Sequence, residues 1–109
     1  MNLKNEFKPI RDWAEEKGIY QKGDLKTQYL KLQEESGELA KAILNNDLPE
    51  IIDAIGDCVV VLTSIAELTN KDLNLENKID IEHCINSAYN VIAKRKGKMI
   101  NGTFVKEEK

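Results

Sequence analysis

The segment from Leu48 to Leu68, LPEIIDAIGDCVVVLTSIAEL, leaves a helix almost no wet side. Leu48, Ile51, Ile52, Ile55, Val59, Leu62 and Ile65 recur at helical spacing, and Cys58, Val60 and Val61 occupy the faces between them. A helix apolar nearly all round belongs at the centre of its fold, covered by the other elements. Two features of the same segment work against that burial. Asp53 and Asp57 are carboxylates one turn apart, and Gly56 costs a helix interior up to about 1 kcal/mol.

The rest of the chain supplies the covering helices. Lys4 to Lys17 carries Phe7, Ile10, Trp13 and Ala14 at helical spacing; Gly18 stops it, and a loop follows to Gly23. Asp24 caps a long helix to about Leu44, apolar at Leu25, Tyr29, Leu32, Leu39 and Ile43. Asp47-Leu48-Pro49-Glu50 opens the central helix with an N-cap, a first-turn proline and an acid placed to close a capping box. A fourth helix, Asp80 to Lys96, turns Ile81, Cys84, Ile85, Ala88, Val91 and Ile92 inward, and Gly97 ends it. Asn101-Gly102, between Met99-Ile100 and Thr103-Phe104-Val105, is the signal of a tight β-hairpin. The expected fold is all-α, a four-helix bundle of one domain over residues 1–109 with a short C-terminal hairpin.

A net charge of −3 argues against general binding to nucleic acid or an anionic membrane. The apolar run Cys58–Leu62 is far too short to span a bilayer, and MNLKNEFKPI has no signal-peptide core. Cys58 and Cys84 form no metal or disulfide pattern, so a cytoplasmic protein with reduced thiols is expected.

The acids are the chemical signal. Glu34, Glu35 and Glu38 adjoin on the second helix, and Asp53 and Asp57 share a face of the third, with Glu50 one turn earlier. A short turn joins the two helices, so folding them back brings the Glu35/Glu38 level near Asp53/Asp57. Like charges gathered this way are unfavourable unless a divalent cation joins them, and an all-oxygen donor set selects Mg²⁺, or Mn²⁺ in its place. Gly37 and Gly56 are then expected to let the two backbones approach closely. A solvated acidic face suffices for Glu34 and Glu35 alone, and capping suffices for Glu50. Neither suffices for Asp53 and Asp57.

Glu34-Glu35-Ser36-Gly37-Glu38, followed by Ile55-Gly56-Asp57-Cys58-Val59-Val60-Val61-Leu62, resembles the MazG-type all-α nucleoside triphosphate pyrophosphohydrolases, whose pattern is E-E-x-x-E on one helix and E-x-x-D on the next. The layout, including the tail Arg-Lys-Gly-Lys-Met-Ile-Asn-Gly-Thr-Phe-Val, is similar to small MazG-like proteins of phages and their hosts. The chain departs from the pattern at Ala54, where the second glutamate belongs; Asp53 stands beside it.

The resemblance implies hydrolysis of a nucleoside or deoxynucleoside triphosphate to monophosphate and pyrophosphate, in nucleotide-pool house-cleaning. Glu35, Glu38, Asp53 and Asp57 are the expected metal ligands, and Glu34 the group that orients or deprotonates water or binds a further ion. Lys94, Arg95 and Lys98 are candidates for the departing pyrophosphate, while Lys96 is read as a favourable cation at a helix end. Trp13, Gln28, Lys31 and Asn90 are candidates for the base and sugar; Trp13 serves equally as core, and His83 reads as surface. The main rival is a non-catalytic helical module that binds metal and nucleotide without turnover. A di-iron carboxylate bundle lacks its Glu-x-x-His pairs. A purely structural dimerisation domain leaves Asp53 and Asp57 without a reason. Because one chain offers little to cover the central helix, a homodimer or homotetramer is expected to complete the bundle.

Overall fold

The computed structural model describes residues 1–107. Among them the elements run α1 (Lys8–Glu16), α2 (Ile19–Lys22), α3 (Leu25–Leu44), α4 (Leu48–Asp72), α5 (Ile81–Ile92), β1 (Gly97–Ile100) and β2 (Thr103–Lys106). The fold is all-α with a C-terminal hairpin, as the periodicity predicts.

Local chemistry sets the boundaries. Pro9 lies in the first turn of α1, and Gly18 leaves that helix in the left-handed region at φ 82. Asp24 caps α3 by accepting from the Thr27 N–H at 2.8 Å and the Thr27 hydroxyl at 2.9 Å. Asn46 turns the chain at φ 51, and Asp47 caps α4 by accepting from the Glu50 N–H at 3.3 Å. Asp80 caps α5 through the His83 N–H at 2.7 Å. In the hairpin, Asn101 and Gly102 both take positive φ, 49 and 84, and Met99 pairs with Phe104.

Helices α3 and α4 form the principal pair; α1, α2 and α5 each pack on α4. The core is made of small residues, Ala14, Ala42, Ala54, Val61, Ala66, Leu68 and Ile81. Thr63 and Ser64 are buried with them, and the Thr63 hydroxyl is satisfied by donating to the Val59 carbonyl at 2.8 Å. The N-terminal segment is fastened to α5. The Asn86 amide accepts from the Leu3 N–H at 3.2 Å and donates to the Leu3 carbonyl at 2.8 Å. Fully buried Glu82 accepts from the Phe7 N–H at 3.0 Å and from both terminal nitrogens of Arg11.

The structure corrects several expectations. A short helix, α2, occupies part of the stretch between Gly18 and Gly23. The central helix runs on to Asp72, while α5 stops at Ile92 rather than Lys96: the Lys94 and Arg95 N–H groups reach back three residues, which tightens the last turn. Ala88, Val91 and Ile92 are exposed, not inward. The central helix is covered on all but its outer face: Ala54 is buried, but Leu48, Ile52 and Ile55 are more than half exposed. A Cβ added at Gly37 or Gly56 meets nothing within 4 Å, so neither glycine serves close approach of α3 to α4. Nor does Glu50 close a capping box. The Asp47 N–H donates to the Ala42 carbonyl instead.

Candidate active site

The three glutamates of EESGE diverge. Glu35 turns toward α4, its side chain only 15% exposed, while Glu34 stays 71% exposed on the neighbouring face. Across the helix pair, Asp57 is flanked by Glu35 and by Asp53 one turn earlier on α4. Partial burial and the negative charges of Asp53 and Glu35 push the Asp57 carboxyl above the usual aspartate value. Burial is the larger cause, and the two neighbouring carboxylates add to it. Lys31, one turn before Glu35, partly answers their charge: its ammonium lies 3.3 Å from Glu35 and 3.7 Å from Glu34.

Glu38, one turn on from Glu35, lines a hollow of about 300 Å³ with Lys41, Asn45, Asp47 and Glu50, near the α3–α4 turn. Among the described residues no three side chains of His, Cys, Asp or Glu are gathered closely enough to grip an ion. The donor chemistry nevertheless fits a hard cation, because Glu35, Asp53 and Asp57 offer only oxygen.

Beside the acids opens a hollow of about 510 Å³. It is lined by Trp13 and Ile19, by Thr27, Gln28, Leu30, Lys31 and Glu34 of α3, and by Val60, Val61 and Ser64 of α4. Trp13, which served equally as core or wall in the sequence, is 47% exposed and forms the wall. Sequence reasoning placed Trp13, Gln28 and Lys31 at a substrate site, and the structure brings them together with Glu34. It missed Thr27 and Ser64. Ser64 carried a faint signal, a hydroxyl inside an apolar stretch.

The candidates near the C-terminus are not brought to this hollow. Residues 90–107 are exposed, and among the described residues α5 packs on α4 but not on α3, while β1 and β2 pack only on each other. Lys94, Arg95 and Lys98 thus stand outside the pair of helices that carries the acids. His83 is exposed, as its polar face predicts.

A second charged hollow, also about 510 Å³, was not foreseen. Arg11, Glu15, Tyr20, Glu67 and Asp80 are among its walls. Arg11 holds the buried Glu82 there and stands 4.0 Å from Glu67, whose carboxyl is pushed up by burial against the opposing pull of Arg11. Nothing in the sequence distinguishes Glu82 from an ordinary first-turn acid.

No helix among the described residues is long and apolar enough to cross a membrane. Over 75 residues the chain is 36% identical to an uncharacterised 18.2 kDa protein in the rep–hol intergenic region of Haemophilus phage HP1 (strain HP1c1). The match covers 69% of this chain and 46% of the phage protein, so it spans about half the length of that relative. No solved structure matches significantly. The model of the MazG nucleotide pyrophosphohydrolase domain matches residues 24–100, from the cap of α3 to the end of β1, and so includes both acid-bearing helices. The chain belongs to the MazG nucleotide pyrophosphohydrolase domain family.

Proposed function

We propose that the protein hydrolyses nucleoside or deoxynucleoside triphosphates between the α and β phosphates, with Mg²⁺ or Mn²⁺, releasing monophosphate and pyrophosphate. The observation that carries this reading is the placement of Asp57 between Glu35 and Asp53, next to a hollow walled by Trp13. Glu35, Asp53 and Asp57 are the proposed metal holders, with Glu38 and Glu50 as a neighbouring acidic pair. A divalent ion bound there neutralises phosphate charge and lowers the pKa of bound water.

The chain's own side chains take the remaining parts. The exposed Glu34, on the rim of the hollow, is the proposed base for the attacking water. Trp13 offers its ring face to the base, and Gln28 offers an amide for hydrogen bonding to base or sugar. Lys31 exchanges its carboxylate partners for phosphate oxygens. Asn90, Lys94, Arg95 and Lys98 are proposed for the sugar and pyrophosphate end. For Lys98 this means supply from a second copy, because β1 touches no helix of its own chain. The physiological reading is clearance of unwanted triphosphates from the cytoplasmic nucleotide pool.

A panel of NTPs and dNTPs with Mg²⁺ or Mn²⁺, scored for products, tests the proposal. Monophosphate plus pyrophosphate, abolished by EDTA, is the expected result. Monophosphate plus two phosphates, or full activity in EDTA, contradicts it. One observation favours a second reading, a module that binds nucleotide without turnover: among the described residues no three acids are gathered closely enough to grip an ion. Nucleotide binding with no product from any member of the panel selects that reading.

A further inference from the structure

The net charge of −3 conceals an uneven distribution. Residues 94–106 carry five cations, Lys94, Arg95, Lys96, Lys98 and Lys106, and no acid, which leaves 11 cations against 19 acids in the rest of the chain. All five are exposed, and among the described residues none of them is ion-paired. Lys96 stands four residues past the end of α5, beyond the last turn in which a cation answers the helix dipole. The fold gives this charge nothing to answer.

The hairpin that carries the charge is also apolar and bare. Strands β1 and β2 pack on each other and on no helix, and Met99, Ile100, Phe104 and Val105 are 65%, 40%, 49% and 43% exposed. The pairs Gly97–Lys106 and Met99–Phe104 put these four residues on one face of the ribbon. There the Phe104 ring fills the place a side chain at position 97 would take, since a Cβ added to Gly97 would lie 2.6 Å from the ring's Cζ. The ring is thus seated and still half exposed, with Lys106 on the same face. Lys96 is held at the foot of the hairpin, where its carbonyl accepts from the Glu107 N–H at 2.6 Å.

A seated aromatic ring bordered by unpaired cations suits a single strand of nucleic acid. The ring stacks on a base of any identity, and the cations follow the phosphates. A ribbon of only two strands also keeps an outer row of N–H groups on each edge, free to donate to phosphate oxygens. Those same edges argue against a lipid occupant, because hydrocarbon cannot satisfy them, and the polar Asn101-Gly102 turn is the tip that would enter first. The acidic remainder of the chain repels phosphates and confines the contact to the hairpin.

We infer that the C-terminal hairpin binds single-stranded nucleic acid, with Phe104 stacking on a base and Lys96 and Lys106 gripping the flanking phosphates. Triphosphate hydrolysis as proposed uses none of these three residues, so the two readings stand or fall separately.

Fluorescence anisotropy of a labelled single-stranded oligonucleotide of about 12 nucleotides, in DNA and RNA versions, tests it on the intact protein in EDTA. Saturable binding is expected at about 50 mM salt, weakening as salt rises with a log–log slope no steeper than about −3.5, the value for five phosphate contacts. Lys96→Gln with Lys106→Gln is expected to weaken binding about 10-fold or more and to flatten that slope by about 1.4. Phe104→Ala is expected to weaken it about 5- to 100-fold at an unchanged slope, while Phe104→Trp keeps it and so separates lost stacking from a loosened hairpin. No binding with protein at about 100 μM in about 50 mM salt overturns the inference. So does binding that none of these substitutions changes. Sedimentation with phosphatidylserine-containing vesicles is the counter-test: vesicle binding lost in the same variants, with the oligonucleotide ignored, overturns the inference and assigns the hairpin to a membrane surface.

Discussion

Lys31 stands 3.3 Å from Glu35, and Glu35 in turn crowds Asp57 across the α3–α4 pair. A cation of the site is thus bound to its anions before any substrate arrives. Hydrogen bonding and attraction from Glu35 hold the Lys31 ammonium's pKa above the usual lysine value. In metal-free protein Lys31→Met therefore leaves Glu35 and Asp57 less compensated. Lys31 is half exposed, so the loss is modest, about 0.2–1 kcal/mol. Added Mg²⁺ is expected to restore most of it. Thermal melts in EDTA and in Mg²⁺ check this, and an equal deficit in both media contradicts it.

Asp57→Asn separates activity from stability. The folded protein holds the Asp57 proton more tightly than the unfolded chain does, because the folded carboxyl titrates above its ordinary value. Folded protein then binds more protons through the carboxylate range, so this group's contribution to stability falls as the pH rises through that range. In metal-free buffer at pH 7 the asparagine variant is expected to melt above the wild type, with the gap closing as the pH drops below the ordinary aspartate value. Turnover is expected to fall by about 10²-fold or more. A variant that melts lower at pH 7 and higher at pH 4 has the sign reversed and refutes the charge argument.

Arg11→Met is expected to be the most damaging single change away from the site. It strands the buried Glu82 carboxylate, at a cost of about 3–5 kcal/mol. Adding Glu82→Gln to it should recover part of the loss. Burial alone would raise the Glu82 carboxyl, but Arg11 and the Phe7 N–H outweigh burial and hold it below the ordinary glutamate value of 4.5. Its stabilisation is therefore complete above that value and is lost as the pH falls through the lower folded value. Urea melts from pH 7 to pH 3 should show an acid-side loss that shrinks in the double variant.

Trp13 gives a direct optical reading of the hollow. A half-exposed indole against which a base stacks is expected to show saturable quenching when a nucleotide is titrated in, even with EDTA present to block turnover. Trp13→Ala should raise KM more than it lowers kcat, as loss of uniform binding does. A change confined to kcat would place Trp13 at the chemistry instead of at the base.

The all-α class, the caps at Asp24, Asp47 and Asp80 and the Asn101-Gly102 turn were legible because each is a local signal written within four residues. The pairing of α3 with α4 followed from the short Asn45-Asn46 connection. Side-chain direction was not legible. Glu34 and Glu35 are neighbours in sequence, but a helix advances 100° per residue, so one is 71% exposed and the other only 15%. Burial along a helix was equally hidden. Periodicity reports that Ile52 and Ile92 are apolar, but not whether their own chain is long enough to cover them. The Arg11–Glu82 pair joins residues 71 positions apart and leaves no mark in either neighbourhood.

The tether between the N-terminal segment and α5 has a consequence for the order in which the fold can be made. Leu3 bonds to Asn86 across 83 positions, and Phe7 to Glu82 across 75, whereas α3 and α4 meet through a hairpin closed at their own turn. Closing a long loop costs more entropy than closing a short one and defers its reward until both ends are present. The α3–α4 pair can therefore assemble while the chain is still being synthesised. The bonds from Leu3, Phe7 and Arg11 to Asn86 and Glu82 must wait until α5 has left the ribosome.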